Sequence, residues 1–473
     1  MSRTQRLVLL LAIVASFVAF LSGTVVTVAL PKISAELGGG LAGQQWTMNA
    51  YLITLGSLIL VAGSLSDAVG RLLILRIGLI GFGLTSVAIA LAPTIEFLIV
   101  LRAVQGAAGA LLVPSSLALI IASFKGAAQG RAIGMWTSAT SAAAIVGPLV
   151  GGLLSDFSTW RWAFVVNVIP IAIALVLMGR LDVRDVRTPG IRIDVVGAVL
   201  CTLGLGAMVY SLIEGPSRGW NSVVVLVSLV GGAIAFAFFL LRQRHRTNPI
   251  VPLDLFRVRN FWTGNVATAF IYAALSLNGF VLGIYLQQTA GLSATLAGLA
   301  SLPMTIIMIL GSSRIGALSG RFGPRVFMTV GPLLMAAGSL MLLLVSGDFN
   351  YWQQVLPGVS VFGLGLTVTV SPLTSAILGS VPTERSGTAS AVNNAVARIA
   401  GLVIVAILAV IVGGQIDLDG FHRAAVVTAA LLALGGITSW IGIRAVTSAE
   451  SSGEVMVSPA PCVAGDVPVV SRV

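Results

Sequence analysis

The chain has 473 residues, of which 57% are hydrophobic and only 9% are charged. A water-soluble domain needs about a quarter of its residues charged, so this composition excludes a soluble enzyme or binding module. The net charge of +11 would suit nucleic-acid binding, but the placement of the basic residues described below explains it better. We therefore expect an all-α integral membrane protein without a nucleic-acid partner.

Apolar segments follow one another along the whole chain, most of them close to the roughly 20 residues that cross about 30 Å of hydrocarbon. The first segment is too long for a signal peptide, and we expect it to be retained as a span. The sequence predicts fourteen transmembrane helices, at 7–30, 46–66, 72–92, 95–122, 131–155, 161–180, 193–213, 222–241, 260–288, 294–318, 325–345, 352–379, 386–413 and 421–444.

The distribution of Lys and Arg predicts the orientation of these spans. With the N-terminus in the cytoplasm, 21 of the 27 basic residues fall on the cytoplasmic side, which is the bias expected of a cytoplasmic-membrane protein. An even number of spans places both termini in the cytoplasm. We expect a multi-pass protein of the cytoplasmic (inner) membrane that is active as a monomer in the lipid bilayer.

A weak internal repeat predicts the domain organisation. The sequence GSLSDAVGRL at 63–72 returns in part as GALSGRFGPR at 316–325, and repeats of this kind are typical of transporters that rock one bundle against another. The predicted units are a six-helix bundle at 1–180, two inserted spans (the seventh and eighth) with linkers at 181–259, a six-helix bundle at 260–445 and a disordered cytoplasmic tail at 446–473.

The turn after the second predicted span carries the most specific motif. Gly63 allows close helix packing, Asp67 ends the span, Gly70 permits a tight turn and Arg71 follows it. A carboxylate here can accept hydrogen bonds from Arg71 and from the first amides of a helix in the other bundle. We interpret these four residues as a conformational latch, whereas an ordinary exposed loop ion pair would contribute only about 0–1 kcal/mol.

This turn closely resembles the loop motif of the major facilitator superfamily. The segments 101–114 and 144–152 resemble its fourth-span motif and the fifth-span motif of its exporters, and 160–170 and 384–401 resemble its fourteen-span drug:proton antiporters. The resemblance covers about residues 7–445. It implies two six-helix bundles of the major facilitator fold and export of small amphipathic drugs, antibiotics or metabolites by alternating access, coupled to proton influx without a cofactor.

Two arginines fall inside predicted spans, where a charge is costly and should face the bundle interior or water. Arg102 has Gln105 three residues later on the same helical face, and the resemblance implies a role for Arg102 in energy coupling. Alternatively, backbone carbonyls of glycine-lined helices hold it. Arg398 follows Asn394 and either faces a cavity, where it binds substrate or an anion, or extends to the cytoplasmic interface.

Further candidates are a gating kink and a substrate cavity. Gly147, Pro148, Gly151 and Gly152 break the fifth span, either to close one path or simply to pack tightly. Polar and aromatic residues that either line a cavity or join helices are Ser22, Trp46, Asn49, Tyr51, Trp136, Asn278, Tyr285, Gln288 and Asn394. Neither the cysteines nor the histidines form a metal or catalytic constellation, so we expect no metal site and no enzymatic activity.

The first span departs from the family pattern. Ser22 stands where the family typically has an acid, and no acidic residue falls in the middle of the membrane. A serine cannot exchange a proton near neutral pH. Three alternatives follow: proton coupling through Glu214, Glu36 or Asp67, export of neutral or anionic solutes with an arginine as counter-charge, or uncoupled facilitation. A non-transporting membrane sensor on the same scaffold is a fourth.

Overall fold

The computed structural model describes residues 1–125, 127–181, 194–246, 249, 251–382 and 385–444, without the side chains of residues 60, 67, 127, 130, 141, 144, 145, 386 and 387. The predicted disordered tail at 446–473 and most of the linker between the sixth and seventh predicted spans lie outside these residues. In the part of the chain that is described, the regular secondary structure is helical.

The helices are α1 (Arg3–Leu37), α2 (Gly40–Val69), α3 (Arg71–Ala90), α4 (Ile95–Ser123), α5 (Ala127–Ser141), α6 (Ala143–Phe157), α7 (Trp162–Val165), α8 (Val168–Gly179), α9 (Val195–Arg218), α10 (Val223–His245), α11 (Arg259–Gln288), α12 (Ala294–Ala300), α13 (Leu302–Phe322), α14 (Pro324–Met341), α15 (Leu356–Leu378), α16 (Ser386–Ala406), α17 (Leu408–Val412) and α18 (Leu418–Gly442). Short 3₁₀ helices at Leu253–Arg257 and Leu342–Leu344 and a π-helical turn at Tyr351–Val355 connect some of them.

The number of spans corrects the sequence prediction. Among the described residues, twelve helical segments are long and apolar enough to cross a membrane. The prediction of fourteen spans was therefore wrong, and the count of twelve gives no support for an inserted pair in addition to two six-helix bundles. The predicted span at 131–155 divides at Ala142 into α5 and α6, each of 15 residues and too short to cross about 30 Å alone. The predicted span at 46–66 lies in α2, which is not among the twelve.

The two copies of the sequence repeat form similar turns. Gly70 ends α2 with a φ of 129°, and Gly323 ends α13 with a φ of 80°. Both angles lie in the region that disfavours residues with a Cβ, so glycine is required at each turn. In each case the next helix begins at the following residue. The repeat therefore has a structural basis in two related helix–turn–helix units.

Helices α1–α8 form what we call the N-terminal half, and α11–α18 the C-terminal half. The halves touch where α6 packs on α12, α2 on α16 and α1 on α11, while α9 packs on α10 and against α2. We name the faces by the predicted orientation: the inner face carries the turn at Gly70, and the outer face carries the loop between α1 and α2. These contacts between the halves frame the candidate site.

Candidate functional site

A cavity of about 310 Å³ lies between the two halves. Its wall is mostly apolar, with a few hydroxyl and amide groups. Such a chamber suits a small amphipathic molecule better than a strongly hydrated one. The lining residues are Thr24, Thr27, Val28, Met48, Leu52, Pro148, Leu275, Ser276, Asn278, Gly279, Phe280, Leu282, Gly283, Ala297, Gly298, Ser301, Met304, Thr305, Leu342, Val359, Phe362 and Val405.

Of the residues that the sequence suggested for a cavity, Asn278 lines this one. Trp136 donates a hydrogen bond to Ser16 at 3.0 Å, and Tyr285 stacks on Phe421 with ring centres 4.2 Å apart. These side chains join helices to one another.

Two more of these candidates lie at or near the surface, and one is buried. Asn394 is exposed and donates to the backbone carbonyl of Ser390 at 3.0 Å, and Gln288 is exposed at the end of α11. Asn49 is fully buried, and neither of its amide atoms has a hydrogen-bond partner among the described residues.

Arg102 is the centre of a buried polar network in the N-terminal half, with none of its surface exposed. Its Nε donates to the carbonyl of Thr47 at 3.1 Å. One terminal nitrogen, Nη1, donates to Gln105 Oε1 at 2.6 Å and to the hydroxyl of Ser22 at 3.3 Å. Gln105 in turn donates to Ser86 at 2.8 Å. The spacing of three residues therefore places Gln105 against Arg102, as the sequence indicated.

The arginine also stacks on an aromatic ring. Its guanidinium carbon lies 4.2 Å from the ring centre of Tyr51, whose hydroxyl donates to the carbonyl of Ala19 at 3.1 Å. The second terminal nitrogen of Arg102, Nη2, is buried and has no hydrogen-bond partner among the described residues. No described carboxylate forms an ion pair with Arg102. The neutral Ser22 thus occupies the place beside this charge where an acid would neutralise it.

The four residues of the predicted fifth-span kink lie inside α6, which runs without interruption from Ala143 to Phe157, and the span divides at Ala142 rather than at these residues. They lie at contacts within and between the halves. An added Cβ on Gly151 would meet the backbone of Val25 in α1 at 2.8 Å, and one on Gly147 would collide with Thr24. An added Cβ on Gly152 would instead lie 2.6 Å from the Cα of Thr295 in the C-terminal half. Only glycine allows α6 to approach both helices this closely, and Pro148 lines the cavity beside them.

Asp156, which the sequence analysis missed, joins the two halves on the outer face. Its carboxylate accepts hydrogen bonds from the backbone amides of Ala294 and Thr295, at 3.1 and 2.7 Å, where α12 begins. Lys32 Nζ donates to it at 2.9 Å from the same half. Burial opposes ionisation, but these hydrogen bonds outweigh it, and they hold the pKa of Asp156 well below its usual range. The outer side is thus closed by a charged contact between the halves.

A second cross-half contact strengthens this closure. Gln45 in α2 donates to the carbonyls of Val405 and Ala406 in α16, at 2.6 and 3.1 Å, and is fully buried. Gln45 was not among the predicted site residues, because one polar residue near the start of a span gives no sign of its partner.

Two of the three acids proposed for proton coupling, Glu36 and Glu214, are paired near the outer face. Glu36 accepts from Arg161 at 2.5 Å and from the indole of Trp160 at 2.7 Å. Glu214 accepts from Arg218 at 2.9 Å and from the indole of Trp46 at 3.1 Å, which explains the position of that tryptophan. Neither acid lines the cavity between the halves.

The predicted inner latch is described only in part. Gly70 makes the turn, and Arg71 donates to the carbonyl of Ala118 at 3.1 Å. An added Cβ on Gly63 would make an ordinary contact with Pro114 at 3.9 Å. The side chain of Asp67 lies outside the described residues, so its role in a latch stays a prediction.

The helical membrane architecture and the chamber between two related halves define a class, that of multi-pass transporters of small molecules. Residues 12–405 match the family description of the Major Facilitator Superfamily. The chain belongs to this superfamily, which confirms the superfamily part of the resemblance seen in its motifs. The twelve spans among the described residues do not support the fourteen-span subfamily.

Several relatives support this membership. The chain is 34% identical over 413 residues to the methylenomycin A resistance protein of Bacillus subtilis (strain 168), covering 87% of this chain and 88% of the relative. It is 33% identical over 399 residues to the tetracenomycin C resistance and export protein of Streptomyces glaucescens, covering 84% and 74%. It is 34% identical over 409 residues to the multidrug resistance protein Stp of Mycobacterium tuberculosis (strain CDC 1551 / Oshkosh), covering 86% and 76%.

The fold also matches solved transporter structures. A bacterial homolog of the human lysosomal transporter Spinster, in an inward-facing and unoccupied conformation, superposes with a TM-score of 0.66 over 93% of this chain and 97% of that one, at 15% identity. A peptide transporter in complex with sulfate superposes with a TM-score of 0.68 over 93% and 94%, at 17% identity. At these identities the similarity establishes the fold alone.

Proposed function

We propose that the protein exports small amphipathic compounds of the antibiotic or drug type across the cell membrane by alternating access. The observation that supports this most directly is the cavity of about 310 Å³ between the halves. Its residues come from both halves, so a rocking motion would change which side it opens to. Relatives at about one-third identity are named for antibiotic resistance and export.

The closed outer side supports an inward-open resting state. Asp156 and Gln45 each bond across the halves toward the outer face, and the glycines of α6 allow backbone contact there. In this scheme, a compound reaches the cavity from the inner side, and breaking these contacts releases it outward.

Proton influx is the proposed energy source, but not through position 22. Ser22 is neutral and bonds to Arg102, so this contact has no group that titrates near neutral pH. The proposed carriers remain Glu36, Glu214 and Asp67. Coupling through one of them requires that the conformational change alters its pairing, because a change of environment is what shifts a pKa.

Purified protein in liposomes, with the inner face turned outward, tests this function. We expect the neutral dye phenylnaphthylamine to enter the lumen faster than it enters empty liposomes, and to accumulate there when the lumen is acidic. Entry no faster than into empty liposomes would contradict export. Faster entry that ignores the pH gradient would remove proton coupling and leave an uncoupled facilitator.

A further inference from the structure

Arg398 lies between the two halves. It belongs to α16 of the C-terminal half, but its guanidinium carbon is 5.8 Å from the ring centre of Phe20 in α1. An added Cβ on Gly56 in α2 would lie 3.8 Å from its Cβ. Its Nε is buried and has no hydrogen-bond partner among the described residues. The residue as a whole is only partly buried.

Helix geometry places Arg398 just inside the inner approach to the cavity. Val405 lines the cavity and lies seven residues later on the same face of α16, a rise of about 10 Å toward the outer face. Phe20 lies four residues before Thr24, another cavity residue, on the same face of α1. A compound that enters from the inner side therefore passes Arg398 before its body reaches the chamber.

The charge balance around this approach is positive. The guanidinium carbon of Arg102 lies 4.2 Å from the ring centre of Tyr51, and no described carboxylate forms an ion pair with Arg102 or Arg398. The hydroxyl of Ser22 offers Arg102 an acceptor without a negative charge. A positive charge in a low-dielectric passage attracts anions and repels cations far more strongly than it would in water.

We propose that Arg398 selects amphipathic anions, compounds with an apolar body and a carboxylate, sulfonate or similar group. This inference rests on the proposed function, because it names the substrate class of the same cavity. The apolar body occupies the chamber between the halves, and the anionic group pairs with the guanidinium about one helical turn beyond the inner end of the chamber. A planar guanidinium can bind both oxygens of such a group at once.

Two dyes that differ by one charged group test the proposal. Anilinonaphthalene sulfonate is phenylnaphthylamine with an added sulfonate, so the ratio of their fluxes into proteoliposomes isolates the anion. In Arg398→Gln we expect the sulfonate flux at subsaturating concentration to fall about tenfold, which corresponds to about 1.4 kcal/mol. The flux of the neutral dye should stay unchanged and show that the variant is folded. Arg398→Lys should retain part of the sulfonate flux.

Arg321→Gln is the matched control. Arg321 is exposed at the end of α13, and its guanidinium carbon lies 5.4 Å from the ring centre of Phe322. The control therefore removes the same charge and a similar aromatic contact far from the cavity. It should change neither flux. Equal losses of both dyes in Arg398→Gln, or the same selective loss in Arg321→Gln, would overturn the proposal.

A second pair of variants keeps Arg398 itself intact. Gly56→Asp places a carboxylate against Arg398, and Gly56→Asn adds a similar volume without charge. We expect the aspartate variant alone to lose sulfonate flux. Wild-type protein that transports the neutral dye but excludes the sulfonate would overturn the anion proposal and leave the exporter intact. Transport of neither dye would refute the exporter as well.

Discussion

The contact of Asp156 with the first amides of α12 gives a quantitative test of outer closure. The side chain is 17% exposed and accepts two backbone hydrogen bonds across the halves. A hydrogen bond to a charged group contributes about 1.5–3 kcal/mol, but water replaces much of this when the halves separate. We therefore expect Asp156→Ala to destabilise the closed state by about 2 kcal/mol, or roughly thirtyfold in population.

Distance measurements between spin labels on the outer face report this equilibrium. Thr159 and Leu296 are exposed on opposite halves, and cysteines there can be labelled once Cys201 and Cys462 are replaced by serine. The parent should show mainly one short distance. Asp156→Ala should add a longer one, and Asp156→Asn, which keeps an acceptor oxygen, should lie between them.

Asp417→Ala is the matched control, because Asp417 accepts a hydrogen bond from the backbone amide of Gly420 at 2.7 Å on the same face but within one half. It should leave the label distances unchanged. An unaltered distribution in Asp156→Ala, or an equal effect of the control, would refute the reasoning.

The pH dependence of this contact follows from the lowered pKa of Asp156 in the closed state. The ionised carboxylate of Asp156 contributes its full stabilisation of the closed state above the ordinary aspartate pKa of about 3.9. This stabilisation is lost as the pH falls through that value toward the lower pKa of the closed state. We therefore expect the label distances to be constant at roughly neutral pH, between about pH 6 and about pH 8. A transition in that interval would show that another group controls outer closure.

Three further substitutions test other parts of the mechanism. Gly152→Val should open the outer side, because an added Cβ would meet the backbone of Thr295, and the spin-label distances should then lengthen. An unchanged closed population would contradict the packing argument. Ser22→Asp places a carboxylate against Arg102, and we expect it to lower sulfonate flux relative to neutral dye by roughly fivefold, because it offsets the positive charge of that arginine. An unchanged ratio would exclude position 22 from selectivity. Asp67→Asn should slow transport of both dyes several-fold if it forms the inner latch, and unchanged rates would remove it from the mechanism.

Hydropathy and motifs predicted the helical membrane fold and the superfamily, because both depend on local sequence. They overestimated the number of spans. An apolar run such as 131–155 does not reveal that its helix is interrupted at Ala142, so composition alone counted it as one continuous span.

The site could be predicted only where its contacts are local. Gln105 lies three residues after Arg102, so helix periodicity was enough to pair them. Asp156 bonds to residues 138 and 139 positions away, and nothing in its own segment indicates that partner. The bond between Arg102 and Ser22 spans 80 positions. The sequence showed the missing acid there, but only the fold shows which charge that acid would have neutralised.

The central claim, that compounds pass through the cavity between the halves, is tested most directly by filling it. Gly279 lines the cavity, and a Cβ added there would meet no atom within 4 Å. Gly231 on α10 is exposed and equally free of neighbours within 4 Å. We expect Gly279→Phe to abolish flux of both dyes into proteoliposomes and Gly231→Phe to leave it at the wild-type rate. Undiminished flux in Gly279→Phe would contradict the account.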